Sequence, residues 1–284
     1  MHHHNKIARL ALAVCVIAAP AAAAPAFAQS TDAWTGGHVG VYLGRASSPD
    51  DGGDRFLFDT NLDGTYDDTV RTAAGADAFS PGFCNGAAQG PTPDTGCSSN
   101  FGGAEWGLRG GYDWQAGQWV FGVLGEIGKV DIRDAVSAYS TTPAFYTMTR
   151  KIDTMGAIRG RAGFAFGAES ENLVYLTAGF ARARVQNRFA TSNAANSFDG
   201  NGSHNANGYQ YGIGYERLLT ENLSLGLEYL MTSLDDDDYR VRTGPGSAPA
   251  TNPFLIVDPR GTDMRRSDTD FDFDTVRATL SLRF

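Results

Sequence analysis

The 284-residue chain carries 32 acidic and 23 basic residues, and its formal net charge of -9 disfavours a nucleic-acid partner. Beyond residue 28 no apolar run approaches the ~20 residues that a spanning helix requires. What remains after that point suits one domain with long loops, or a sandwich of moderate size.

Residues 1–28 hold a short cationic start (Lys6, Arg9), an apolar run from Leu10 to Ala24 interrupted by Pro20, and the small-residue cleavage signal Ala26-Phe27-Ala28 before Gln29. This is the pattern of a secretory signal peptide, and Pro20 with the cleavage site disfavours a membrane anchor helix. Val14 stands where a lipoprotein pattern at Cys15 would want a small residue. His2, His3 and His4 leave with the leader, so only His38 and His204 remain, too few for a zinc site. Processing also removes Lys6 and Arg9 and no acid, which leaves 21 basic against 32 acidic residues and a balance of -11. Residues 29–284 are then the mature domain.

Period-2 alternation predicts eight strands: Gly36–Arg45, Ala104–Gln115, Trp119–Asp131, Ile152–Phe166, Leu173–Val185, Asn207–Leu218, Asn222–Leu234 and Phe271–Phe284. The second sets Trp106, Leu108, Tyr112 and Trp114 against Glu105, Arg109 and Asp113, and the seventh sets Leu223, Leu225, Leu227 and Tyr229 against Ser224, Gly226 and Glu228. Between the first two strands lies a long connection, 46–103. It contains Asp59-Thr-Asn61-Leu-Asp63-Gly64-Thr-Tyr-Asp67-Asp68, whose spacing matches the opening of a calcium loop, although Val70 occupies position twelve in place of the bidentate Glu. A solvated Asp/Asn/Gly turn is the favoured reading, and a weak Ca²⁺ site the other. No cofactor is required. Cys84 and Cys97 lie in the same connection, and in an exported chain they are expected to form one disulfide. The acidic run Asp235–Asp238 reads as a charged loop stem that resists aggregation.

The connections alternate strictly. Those at 116–118, 167–172 and 219–221 are short, whereas 46–103, 132–151, 186–206 and 235–270 are long. An up-and-down barrel sorts its loops this way, with the tight turns and both termini at the periplasmic rim and the long loops outside the cell. The predicted fold is therefore all-β: an eight-stranded antiparallel up-and-down transmembrane β-barrel with long extracellular loops. Trp34, Trp114, Trp119 and Phe284 are expected in an aromatic girdle at the periplasmic interface.

Trp34-Thr-Gly-Gly-His-Val-Gly40, Gly111-Tyr-Asp-Trp-Gln115, Trp119-Val-Phe-Gly122, Ile158-Arg-Gly-Arg-Ala-Gly163, Leu173-Val-Tyr-Leu-Thr-Ala-Gly179 and the closing Arg-Phe resemble the small porin-like outer-membrane proteins of alphaproteobacteria, within the OmpA-like eight-stranded barrel group. The resemblance covers nearly all the barrel strands. It implies an integral outer-membrane location, without the peptidoglycan-binding domain of longer relatives. The first and fourth long loops are larger than that family leads one to expect.

An eight-stranded barrel is just wide enough for side chains to fill. Parity turns Glu126, Asp153, Arg159, Arg161, Glu216, Glu228 and Arg277 inward, and a salt-bridged plug is expected rather than an open ion path, because no one sign lines the lumen. No Gly-x-Ser-x-Gly elbow or Gly-Lys-Ser/Thr phosphate loop occurs, so the chain is not expected to be an enzyme. The expected role is structural or surface-interacting, a frame for the loops. The alternatives are a narrow channel for ions or small solutes and a loop-borne adhesin or receptor. Expected partners are outer-membrane lipid, lipopolysaccharide and, through the last strand ending in Phe284, the barrel-assembly machinery.

Overall fold

The computed structural model describes residues 32–47, 52–200, 202–237 and 239–284, and the leader at 1–28 lies outside them. Eight strands form a closed ladder: β1 (Gly36–Ala46), β2 (Phe101–Ala116), β3 (Trp119–Ser140), β4 (Ala144–Phe166), β5 (Asn172–Thr191), β6 (His204–Thr220), β7 (Leu223–Asp235) and β8 (Asp270–Arg283). Each pairs antiparallel with the next, and β1 closes on β8 from His38 opposite Arg283 to Ala46 opposite Thr275. No barrel strand keeps a free edge, so its backbone donors and acceptors are met within the ring.

The faces are those of a barrel turned inside out relative to a soluble protein. On β7, Leu225 is 47% exposed and Leu227 54%, while Ser224 and Glu228 on either side of them are buried. On β2, Trp106, Leu108 and Trp114 face out, and Glu105, Arg109 and Asp113 face in. In water such an apolar outer face would be a liability; in lipid it is the required surface. Inside, glycines make room for large neighbours. A Cβ at Gly214 would collide with the Tyr175 ring, and one at Gly107 with the Tyr42 phenol.

Strands β3, β4 and β5 run well past the length that crosses a membrane. The β3–β4 ladder continues to Ser140 opposite Ala144, and the β4–β5 ladder to Tyr146 opposite Thr191. This corrects the expected long loop at 132–151. That stretch is rich in β-branched and aromatic residues such as Val136, Tyr139, Phe145 and Tyr146, which favour a strand, and the reversal needs only Thr141–Pro143. The other long connections fold as well. Ser197–Gly200, Val241–Gly244, Thr262–Arg266 and Phe56–Asp59 make a four-stranded sheet in that order, joining the first, third and fourth long connections. Beneath it Phe56, Phe58, Phe79, Tyr146, Phe254 and Met264 pack into a separate core, with Phe58 stacked on Phe79 at 4.6 Å. The barrel thus carries a folded cap.

Leu225→Arg, which puts a cation on the outward apolar face, is expected to lower folding stability in lipid vesicles by about 2–4 kcal/mol. A loss below about 0.5 kcal/mol, the range of an ordinary surface substitution, would contradict the placement of that face in lipid.

Candidate functional site

The barrel interior is stacked in layers. At the end with the short turns, the turn Asp32–Trp34 tucks Trp34 inside, 0% exposed, against Val120, Ala165, Leu173 and Tyr175. Its backbone N–H donates to Gln115 Oε1 (2.9 Å), its indole Nε1–H donates to the Ser170 carbonyl (2.7 Å), and the Arg283 guanidinium lies over the ring at 4.8 Å. Trp34 is therefore a stopper and not a girdle residue. It precedes the first strand, so strand parity does not govern it, and its N–H has a partner inside. Trp114, Trp119 and Phe284 do face outward at this end, and Phe284 is 78% exposed.

Above Trp34 the lumen holds a network of ion pairs. Arg277 reaches Glu105 (3.2 Å), Glu126 (2.6 Å) and Glu228 (2.7 Å); Arg159 reaches Glu126 (2.8 Å) and Glu228 (3.5 Å); and Arg109 reaches Glu228 (3.1 Å). Arg161 grips Asp113 through Nε (2.7 Å) and Nη2 (2.5 Å) and Glu216 through Nη1 (2.8 Å). Arg283 joins Asp113 at 2.8 Å, and the Tyr175 hydroxyl donates to Glu228 at 2.6 Å. Five guanidiniums thus face five carboxylates, all buried. One-to-one compensation is what lets charges remain ionised in so narrow a space.

The structure brings six of the seven sequence-predicted residues together: Glu126, Arg159, Arg161, Glu216, Glu228 and Arg277. Asp153 stays out. A bulge between Ile152 and Thr154 leaves Asp153 unpaired on the ladder and switches parity, so that Ile152 points inward and is fully buried while Asp153 stays part-exposed at the rim. The sequence reading omitted Glu105, Arg109, Asp113 and Arg283 from the network. Their signal was present, since each lies on the polar face of an alternating strand.

An apolar layer separates this network from the outer mouth. Val130, Ile132, Ile152, Met155, Val185, Leu234, Phe271 and Phe273 form it with five alanines, all buried. A second ionic layer follows. Arg150 donates to Asp134 (2.6 Å) and Asp236 (3.3 Å) and stacks on Phe271 at 4.5 Å; Arg266 bridges Asp54 and Asp134, each at 2.6 Å; and His204 meets Asp236 at 2.8 Å. This cluster clasps the first and fourth connections to β3 and β4.

Among the described residues, the cap holds a cleft of about 290 Å³ at its tip. Rings of Phe79, Tyr146 and Phe254, the turn at 140–144, residues 192–195 and Asn252 line it, with no charged side chain. Asn193 Nδ2 donates to the Tyr146 hydroxyl (2.9 Å) and Asn252 Nδ2 to Asn196 Oδ1 (3.1 Å), which fixes the amides.

In the first connection the acidic segment folds on itself. Asp59 accepts from the backbone N–H of Asp63 (3.1 Å) and Gly64 (2.8 Å), and Asp68 accepts from the Thr60 N–H and hydroxyl, both at 2.8 Å. Asn61 donates to Asp63 (3.0 Å), and the Thr65 N–H donates to Asp63 (2.7 Å), which holds that carboxyl below its ordinary value. Asp67 is exposed, and Val70 at position twelve is drawn into the cap core. Among the described residues no three His, Cys, Asp or Glu side chains gather to hold a metal ion. Cys84 and Cys97 are joined in a disulfide beside Tyr139, where Gly82–Asn85 pairs with β3.

A closed eight-stranded ladder with an apolar outer face and a paired ionic interior defines a transmembrane β-barrel. The chain belongs to the family described as outer membrane protein beta-barrel domain, whose model matches residues 10–284. It is an integral protein of the outer membrane. It is 32% identical over 134 residues to a 22 kDa outer membrane protein of Rhizobium leguminosarum bv. viciae, covering 47% of this chain and about half (54%) of that relative's length. It is 24% identical over 226 residues to a 31 kDa outer-membrane immunogenic protein of Brucella melitensis, covering 79% of this chain and 81% of the relative. Among solved structures it is similar to the outer membrane protein OprG from Pseudomonas aeruginosa, at 12% identity and a TM-score of 0.47 over 89% of this chain and 98% of that one.

Two outcomes follow from the layered interior. Arg277→Ala leaves buried Glu105 without its ion-pair partner and takes one cation from each of Glu126 and Glu228, and is expected to cost about 3–5 kcal/mol in denaturant unfolding; a loss within about 0.5 kcal/mol would mean that the network does not carry stability. Reduction of Cys84–Cys97 is expected to admit protease only within residues 82–98, since the ladder and cap core do not depend on the bridge. Cleavage in the barrel strands would refute that independence.

Proposed function

We propose that the protein is a sealed pedestal in the outer membrane, which contributes to envelope integrity and presents its folded cap as a surface-interaction site. The observation that carries this is the apolar layer between two ionic layers. An ion crossing it would have to shed its hydration among Val130, Ile132, Ile152, Met155, Leu234 and Phe271, with no polar group to replace the water. The favoured reading is thus frame and surface, not channel.

Catalysis is no part of this reading. His38 is buried in the lumen 3.7 Å from Asp113, behind the Trp34 stopper, and His204 is tied into the mouth cluster. The uncharged tip cleft is the natural place for a partner, because its aromatic rings and fixed amides give apolar contact with a few placed polar groups. The cap is also the part an antibody would meet, in keeping with the immunogenic naming of the Brucella relative. The exposed Phe284 at the end of β8 is read as the contact for barrel-assembly machinery, and outer-leaflet lipopolysaccharide as the surrounding partner.

Refolded protein in planar bilayers is expected to show no unitary current steps, with or without the 84–97 disulfide. Reproducible open-channel steps from heat-modifiable, folded protein would overturn the sealed reading.

A further inference from the structure

Outward-facing charge is distributed unevenly around the barrel. On β3 the outward apolar run from Trp119 to Ile127 ends at Lys129, followed on the same face by Asp131 and Arg133, all three exposed. On β5 the outward run Val174, Leu176 and Phe180, the last 82% exposed, gives way to Arg182, Arg184 and Arg188, all exposed. None of these five cations makes an ion pair within the described residues. Neighbouring Lys151 is matched by Asp131 at 3.3 Å. On the far side of the barrel the exposed charge is mixed, with Asp272 and Asp235 on β8 and β7 and the single cation Arg45 on β1.

The height of the change is informative. The eight steps from Trp119 to Ile127 span about 27 Å along a strand, and about 20 Å along the membrane normal at a tilt of ~40°. The unpaired cations therefore begin where hydrocarbon gives way to the headgroups of the outer leaflet. Alongside them, β6 places Asn207 opposite Arg182 and Asn205 opposite Arg184, both exposed, and β4 places Thr154 opposite Arg184 with the part-exposed Asp153 beside it. Guanidinium forks flanked by amides and hydroxyls suit phosphate oxygens joined to a hydroxyl-rich sugar.

The geometry points to a specific lipid site: the β3–β5 face, centred on Arg182, Arg184 and Arg188, binds the phosphorylated headgroup of a glycolipid of the lipid A class. This inference rests on the outer-membrane reading and adds which face meets the lipid and through which groups. Charge complementarity selects the occupant. Arginines left unpaired at this depth in an acidic protein need an anion, and the apolar run directly below them takes the acyl chains.

The test compares wild type with the triple variant Arg182→Gln, Arg184→Gln, Arg188→Gln, and with Asp235→Asn/Asp272→Asn as a control on the opposite face. Binding of bisphosphorylated lipid A to detergent-solubilised, heat-modifiable barrel is measured by native mass spectrometry. The triple variant is expected to bind at least about tenfold more weakly, the control within about twofold, and wild type should prefer bisphosphorylated over dephosphorylated lipid A by at least about tenfold. Because all three side chains point away from the core, the variant should fold; if it does not, Arg184→Gln alone is expected to show a smaller loss in the same direction. Equal binding by wild type and variants, equal binding of dephosphorylated lipid A, or equal binding of phosphatidylglycerol would overturn the site. None of these outcomes touches the sealed lumen, which is read by conductance.

Discussion

The structure depends on compensating charge inside a space too narrow for bulk water. Eight strands leave an interior that side chains fill, and alternation forces every second residue into it. The polar face of these strands therefore has to be solved as a group. Arg277 spans three carboxylates from β2, β3 and β7, Arg161 two from β2 and β6, and Glu228 receives Arg109, Arg159, Arg277 and the Tyr175 hydroxyl. Removing one member leaves its partners charged and buried. The network thus ties together strands far apart in sequence.

From that constraint the rest of the architecture follows upward. The Trp34 stopper closes one end, the ionic network fills the middle, and an apolar layer takes over where the strands leave the hydrocarbon. There the bulge at Asp153 changes which face looks inward. Past it, strands β3 to β5 have no lipid to meet and form one wall of the cap. The cluster around Arg150 and Arg266 then fastens the remaining connections to that wall, so the extracellular part is a folded body with its own core.

Much of this was legible in the sequence, because a barrel strand writes its two environments into alternate residues. All eight strands, their order and the sense of their faces could be read from alternation such as Leu223 to Met231, and six members of the lumen network from parity alone. Parity fails where one residue is inserted, as at Asp153, since a bulge leaves no mark that composition reveals. It also does not apply to Trp34, whose place depends on a turn outside the ladder. The cap was the least legible part. The pairing of Phe56–Asp59 with Thr262–Arg266 joins segments about two hundred residues apart, and nothing local announces it. Glycine, Asn and Asp in these connections suggest flexible loops, although they serve here as turns between short paired strands.

The central claim is that the buried charges of the lumen act as coupled pairs. A double-mutant cycle on Arg161 and Asp113, using Arg161→Met, Asp113→Asn and the double variant with unfolding followed in detergent, isolates that coupling. The account predicts a coupling energy of about 1–3 kcal/mol, with the double variant more stable than the sum of the single losses implies. Strict additivity within about 0.3 kcal/mol would contradict it.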